Sequence, residues 1–283
     1  MKINALGTGV EISDIDIAAG LSSNELDGVK EAFFEHGLIF IRDQKISEQD
    51  HIAFAELFGE VNVNRFFRAH PEYPQVALVT KEPDQIHNIG GGWHTDHSYD
   101  EIPALGSILA ARQLPAIGGD TWFVSMYSAL DELSEGMRES LKQLRAVHSA
   151  HHVFGSQASS EGEFGGRIGN PESADGLNDP VHPVIIRHPL SGREALYVNP
   201  GFTLRIEGWT DQESEPLLEL LYSQATKAKN VTRFNWQPGS IAFWDNRATW
   251  HNAQNDYQGF RREMHRITIE GCELKAASPQ CHS

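Results

Sequence analysis

Residues 90–97 read GGGWHTDH, which places two histidines and an aspartate within four positions behind three glycines. Imidazole nitrogens and carboxylate oxygens are donors that divalent metals accept, and glycine lets the backbone come close to a ligand. His94 and Asp96 stand two apart, so on an extended segment both side chains leave one face and could reach the same ion. His97 leaves the opposite face, which puts it around the pocket rather than on the ion. In a chain with 14 histidines, one His-x-Asp is expected on the order of once by chance, so alone it fits a hydrogen-bonded polar loop as well as a metal cradle.

A second stretch, FWDNRATWHNAQNDYQGFRREMHRITIEG, supplies His251 after a strand, then Arg262 and Arg266. Two histidines and one carboxylate leave one face of an octahedral ion open, the arrangement non-heme Fe(II) oxygenases use for a cosubstrate and O2. An arginine is what the distant carboxylate of a bidentate cosubstrate would need. The same donors would also suit a zinc hydrolase that activates water, and a barrel with a structural metal or none could be a non-enzymatic binding protein.

The elements that must position these groups change in kind along the chain. Ser22 and Glu25 have capping-box spacing, and Leu26, Val29 and Phe33 recur at helical intervals up to Gly37. LIFIRD then predicts a buried strand, and Ser47 opens a second helix running toward Gly59. From about residue 75, short β segments divided by turn signals suggest a sandwich or barrel, with a helix at DQESEPLLELLYSQAT and a hairpin turn at PLSG. Residues 155–180 show neither period and are expected to form a lid or insertion. The tail from about residue 274 is expected to fray. Trp93 and Trp250 are assigned to packing, Asp245 and Asn246 to a turn, Arg261 to solvent, and His151 and His152 to the surface or core.

The 283 residues are expected to form a single domain, and 40% hydrophobic residues suffice for a core. A net charge of −16 repels nucleic acid and anionic membranes, so a small anionic substrate must be held by particular arginines inside a pocket. Two cysteines, neither in a CxxC pair, indicate no disulfide framework or thiolate metal site. No apolar run reaches about 18 residues, and a cytoplasmic location is expected.

Taken in order, WHTD, LPAIGGDTWF, VNPGFTLRI, FWDNRATWHNA and RREMHR resemble the taurine dioxygenase and 2,4-dichlorophenoxyacetate dioxygenase family of Fe(II)/2-oxoglutarate-dependent oxygenases. The resemblance runs from the N-terminal helices to about Glu273. It implies a mainly β fold with α, a double-stranded β-helix or jelly roll with flanking helices. It implies His94, Asp96 and His251 as iron ligands, with 2-oxoglutarate and O2 as cosubstrates. Thr121 and Arg262 match positions that bind the distal carboxylate of 2-oxoglutarate, Arg266 an arginine that helps hold an anionic substrate, and Phe154 a pocket-lining aromatic. Asn64 stands where taurine-specific members carry a substrate-binding histidine, and Gly90 replaces an asparagine, which argues against taurine itself. Because Asp96 is present, halogenation is disfavoured. A small organic anion as substrate (an organosulfonate, a sulfate ester, an aryloxyalkanoate, or a carboxylic or amino acid) and a homodimer or tetramer are further implications.

Overall fold

The computed structural model describes residues 1–156, 167–168 and 171–277. The chain opens with a hairpin of β1 (Lys2–Leu6) and β2 (Gly9–Ser13). Helix α1 (Ser23–His36) starts where Ser22 and Glu25 exchange cap hydrogen bonds and stops at Gly37, whose φ of 66° suits a residue without Cβ. Strand β3 (Leu38–Ile41) follows, running parallel to β2. Helix α2 (Glu48–Glu56) has the same capping box at Ser47 and Asp50; it ends short of Gly59 because the Leu57 and Phe58 amides reach back only three residues.

The remaining strands are β4 (Val61–Asn62), β5 (Ala77–Lys81), β6 (Gly106–Gln113), β7 (Thr121–Ser125), β8 (Arg145–His148), β9 (Val181–Pro183), β10 (Ile185–Arg187), β11 (Glu194–Leu196) and β12 (Thr203–Ile206), followed by β13 (Val231–Phe234), β14 (Ile241–Asp245), β15 (Thr249–Ala253), β16 (Arg262–Ile269) and β17 (Lys275–Ala276). Between them lie helices α3 (Met126–Asp131), α4 (Glu135–Leu141), α5 (His151–Phe154), α6 (Pro171–Asp175) and α7 (Asp211–Ala225).

One large sheet has the order β1-β2-β3-β14-β6-β16-β4, with β5 also paired to β16. Three smaller sheets, β13-β7-β15, β12-β8-β9 and β11-β10-β17, complete the expected jelly roll. Side-chain alternation divides the large sheet into two faces. Phe243, Ile108, Ile267 and Ile269 pack with Val29, Phe33 and Phe54 of α1 and α2, while Trp244, Leu109 and Met264 pack with Phe123 in the barrel interior. Strand β16 therefore sends Arg262, Met264 and Arg266 inward, with Glu263 and His265 on the other face.

Several expectations change. Lys275 and Ala276 pair with β10, and Ala277 is fully buried with its amide on the Ile185 carbonyl, so the chain is ordered past residue 274. Within the proposed lid, Pro171–Asp175 is helical and Ile168 bridges to Phe67; residues 157–166 and 169–170 lie outside the described residues, as does Cys281. The hairpin β1–β2 and the helices α3 and α4, each started by a serine cap at Ser125 or Ser134, lie in stretches to which no element had been assigned.

Candidate active site

His94 and His251 form a two-way backbone bridge: the His94 amide donates to the His251 carbonyl at 3.1 Å, and the His251 amide returns to the His94 carbonyl at 2.8 Å. Directly opposed residues of an antiparallel pair project to the same side, and the two ring centroids are 4.1 Å apart. The extended geometry expected for WHTD does not continue past this bridge. The chain turns at Asp96, and His97 adopts a φ of 62°. The Thr95 hydroxyl ties this turn to the Asn246 carbonyl. That carbonyl sits beside Asp245, fully buried and bound to Arg247 and His188; the turn expected at Asp245 and Asn246 is present over 246–248, closed by the Ala248 amide on the Asp245 carbonyl at 3.1 Å, and the buried ion cluster holds it.

Nε2 of His94 lies 3.8 Å from one Asp96 oxygen and Nε2 of His251 lies 3.9 Å from the other. These gaps are too long for hydrogen bonds, and all three donor atoms fall within 4.8 Å of one another. His94 Nδ1 faces the Gly92 carbonyl at 2.9 Å, the outer contact that leaves Nε2 as a lone-pair donor. Burial, reinforced by the neighbouring His94, pushes His251 well below the usual histidine range, so its ring stays neutral. Burial opposes the charge on Asp96, but Arg266 and the histidines outweigh it and hold the carboxyl well below its usual range. Two imidazoles and one carboxylate converging in this way fit a divalent ion.

These groups open onto a cavity of about 490 Å3 that is also lined by Thr121, Phe154, Arg262 and Arg266. Arg266 reaches both Asp96 oxygens at 3.2 Å from Nη1 and lies 4.1 Å over the Phe67 ring. Among the described residues its Nε is buried without a partner. Arg262 is 3% exposed, and its Nε and Nη2 also lack partners among the described residues. The Thr121 hydroxyl accepts from Trp236 Nε1 at 3.0 Å, which leaves its own proton free to donate. Buried polar groups are rarely orphaned, so these nitrogens mark where a polar ligand belongs.

The taurine catabolism dioxygenase TauD, TfdA family model matches residues 2–268. The chain belongs to this family. It is 32% identical over 278 residues to an alkylsulfatase of Acinetobacter baylyi, covering 93% of this chain and 82% of that protein. It is also 32% identical over 268 residues to an alpha-ketoglutarate-dependent sulfate ester dioxygenase of Pseudomonas putida, covering 93% and 86%. The crystal structure of a putative alpha-ketoglutarate-dependent taurine dioxygenase from Burkholderia xenovorans superposes with a TM-score of 0.81 at 30% identity, covering 96% of this chain and 90% of that one. As a TauD/TfdA protein, the chain is an oxidoreductase that uses Fe(II), 2-oxoglutarate and O2.

Within the TauD/TfdA site, the position of Asn64 differs from the expectation. It is not among the described residues lining the cavity, because its side-chain oxygen accepts from the Phe66 and Phe67 amides and its Nδ2 faces His97. It thereby fixes the segment that presents Phe67. Phe154 does line the cavity, stacked on Phe66 at 4.3 Å. Trp93, assigned to packing alone, also lines the cavity, whereas Trp250 is in the core. His97 turns away to Asp100, at 2.8 Å. His151 and His152 bond to the carbonyls of Leu177 and Gly201. Arg261 pairs with Glu82 and Glu263, on the side of β16 away from the cavity.

Three residues with a part in the site had not been singled out. Trp244, 4.6 Å from the His251 ring, and Leu109 line it by the inward alternation of β14 and β6. Gly201 is the third: a Cβ there would lie 2.6 Å from His94 Cβ. Gly201→Ala is therefore expected to displace His94 and weaken Fe(II) binding by about 10- to 100-fold, the range seen when a ligand loses its support. Unchanged iron affinity in a metal titration would show that His94 tolerates the shift.

Proposed function

We propose that the protein oxidises a small organic anion with an apolar body, a sulfate ester or a sulfonate, at a carbon next to the sulfur-bearing group. The observation that carries this reading is Arg266, a buried guanidinium with a free Nε in a cavity that also presents Phe67, Leu109, Phe154 and Phe202. With Arg262 given to the cosubstrate, a guanidinium N–H beside these apolar walls favours a ligand with one anionic head and a hydrocarbon remainder. The names of the two sulfur-ester relatives point the same way.

His94, Asp96 and His251 hold Fe(II) in this reading, and Arg262 with Thr121 takes the distal carboxylate of 2-oxoglutarate. When these are bound with O2, oxidative decarboxylation to succinate and CO2 supplies the oxidant that converts a substrate C–H into C–OH. The chain's own part is to orient. Arg266 fixes the anionic head, and the aromatic walls exclude water and aim the carbon. A hydroxyl placed on the carbon bonded to sulfate oxygen loses its proton as the C–O bond breaks, giving an aldehyde and free sulfate. A homodimer or tetramer and a cytoplasmic location belong to the same reading, supported by the family resemblance.

The test is to offer alkyl sulfates, alkanesulfonates and matched carboxylates to the iron-loaded protein and measure succinate together with sulfate or sulfite. Equal amounts of succinate and sulfate or sulfite, formed only with O2, are expected; stimulation by the carboxylates alone would refute the substrate class. Arg266→Gln is expected to raise the KM for the anionic substrate about 100-fold, the scale of a lost buried charge contact. Substrate-independent succinate formation should persist. If that basal turnover disappears as well, the role of Arg266 lies with Asp96 or the cosubstrate instead.

A further inference from the structure

Lys81 is the antiparallel partner of Arg262 in the β5–β16 pair, and cross-strand partners project to the same face. It is 2% exposed. Its partners are neutral: Nζ donates to Gln258 Oε1 at 3.1 Å and lies 4.4 Å from the centre of the Tyr257 ring. Arg262 lies against the same ring, with Cζ at 6.0 Å from its centre. The carboxylates whose charge reaches Arg262 are Asp120 and Asp256, which also accept from Asn235 at 2.9 Å and from the Gly119 amide at 2.7 Å.

Two cations directly opposed across a ladder repel, and a buried ammonium without a carboxylate is costly. Burial, added to by the charge of Arg167, draws the Lys81 ammonium below its usual range. In a chain of net charge −16, Lys81 and Arg262 are two buried cations against one ring, and the Asp120 and Asp256 charges near Arg262 offset only part of the cost of its burial. Such a pair suits an anion that arrives from outside the chain.

We infer that Lys81, through the Tyr257 ring, is a positioning residue for Arg262 and a second positive charge that selects 2-oxo diacids over 2-oxo monoacids as cosubstrate. The inference rests on the reading that Arg262 receives the distal carboxylate. Tyr257 links the two cations: the ammonium and the guanidinium both lie against its ring. Removing the ammonium withdraws attraction from the distal carboxylate alone and leaves the iron donors untouched.

The test is calorimetric binding of 2-oxoglutarate and of 2-oxopentanoate, which carries a methyl group in place of the distal carboxylate, to the Mn(II)-loaded protein. Lys81→Met is expected to weaken 2-oxoglutarate about 10- to 20-fold, the scale of losing one Coulomb attraction between unit charges at an effective dielectric near 20. The affinity for 2-oxopentanoate should change less than about twofold, since that ligand carries no distal charge. The Tm of the free protein should hold or rise, because a buried charge is removed. Tyr257→Leu removes the ring that both cations lie against, and should weaken 2-oxoglutarate selectively even if Lys81→Met does not fold. Equal loss for both ligands with a lowered Tm would assign Lys81 a structural role and overturn the inference. If Arg262→Met is selective and Lys81→Met leaves both affinities unchanged, this inference alone fails. If Arg262→Met shows no selective loss, the distal-carboxylate reading fails and this inference with it.

Discussion

Asp96→Ala is expected to abolish Fe(II) binding and, with it, all succinate formation. With Asp96 in place, its carboxylate offsets the Arg266 guanidinium that reaches both of its oxygens at 3.2 Å. Without it, a divalent cation would meet two imidazoles beside an uncompensated positive charge. The loss should exceed the roughly 10- to 100-fold that outer-shell changes cost, because both a ligand and the local charge balance disappear. Stability should suffer too, since stranding one member of a buried ion pair typically costs about 3–5 kcal/mol. Circular dichroism and Tm must therefore accompany an anaerobic titration with Fe(II) and 2-oxoglutarate, followed by the visible charge-transfer band. Asp96→Asn should keep the fold better and still lose iron. Iron affinity within about threefold of the parent in folded Asp96→Asn would remove Asp96 from the ligand set, since a neutral amide is a far poorer partner for a hard cation.

How much of this site could be read in advance depended on whether a signal was local. The caps at Ser22 and Ser47 were legible because a capping box is written within four residues. The inward alternation of Arg262 and Arg266 was legible because strand period is local as well. By contrast, the His94–His251 bridge joins residues 157 positions apart, and the pairing followed from family resemblance rather than periodicity. Gly201 could not be read this way, because the need for glycine there arises only when His94 is brought against it. Asn64 was misassigned for a related reason. Matching its position to a substrate-binding histidine said nothing of the Phe66 and Phe67 amides that its short side chain caps instead. Ala277 lay beyond local rules altogether, because the tail is held by β10, about 90 residues earlier in the chain.

The second large effect is expected at the other end of the cavity. Arg262→Met should raise the 2-oxoglutarate concentration needed for half-saturation by more than about 100-fold, the scale of losing a charge-assisted bidentate contact in a buried site. Fe(II) affinity should stay close to that of the parent. Arg262 and Arg266 face the same interior but are separated by four residues of β16, about 13 Å along an extended strand. One guanidinium is thus committed to Asp96, while the other, with Nε and Nη2 unpartnered among the described residues, lines the same cavity as Thr121. Stability should move opposite to Asp96→Ala. Burial alone draws the Arg262 guanidinium below its usual range, with Asp120, Asp256 and Tyr257 offsetting part of that cost, so an apolar chain of similar reach relieves the free protein. A Tm that holds or rises while cosubstrate affinity collapses is the signature of a residue kept for binding rather than for folding. An unchanged 2-oxoglutarate requirement would remove Arg262 from the cosubstrate site and leave its orphaned nitrogens to another ligand.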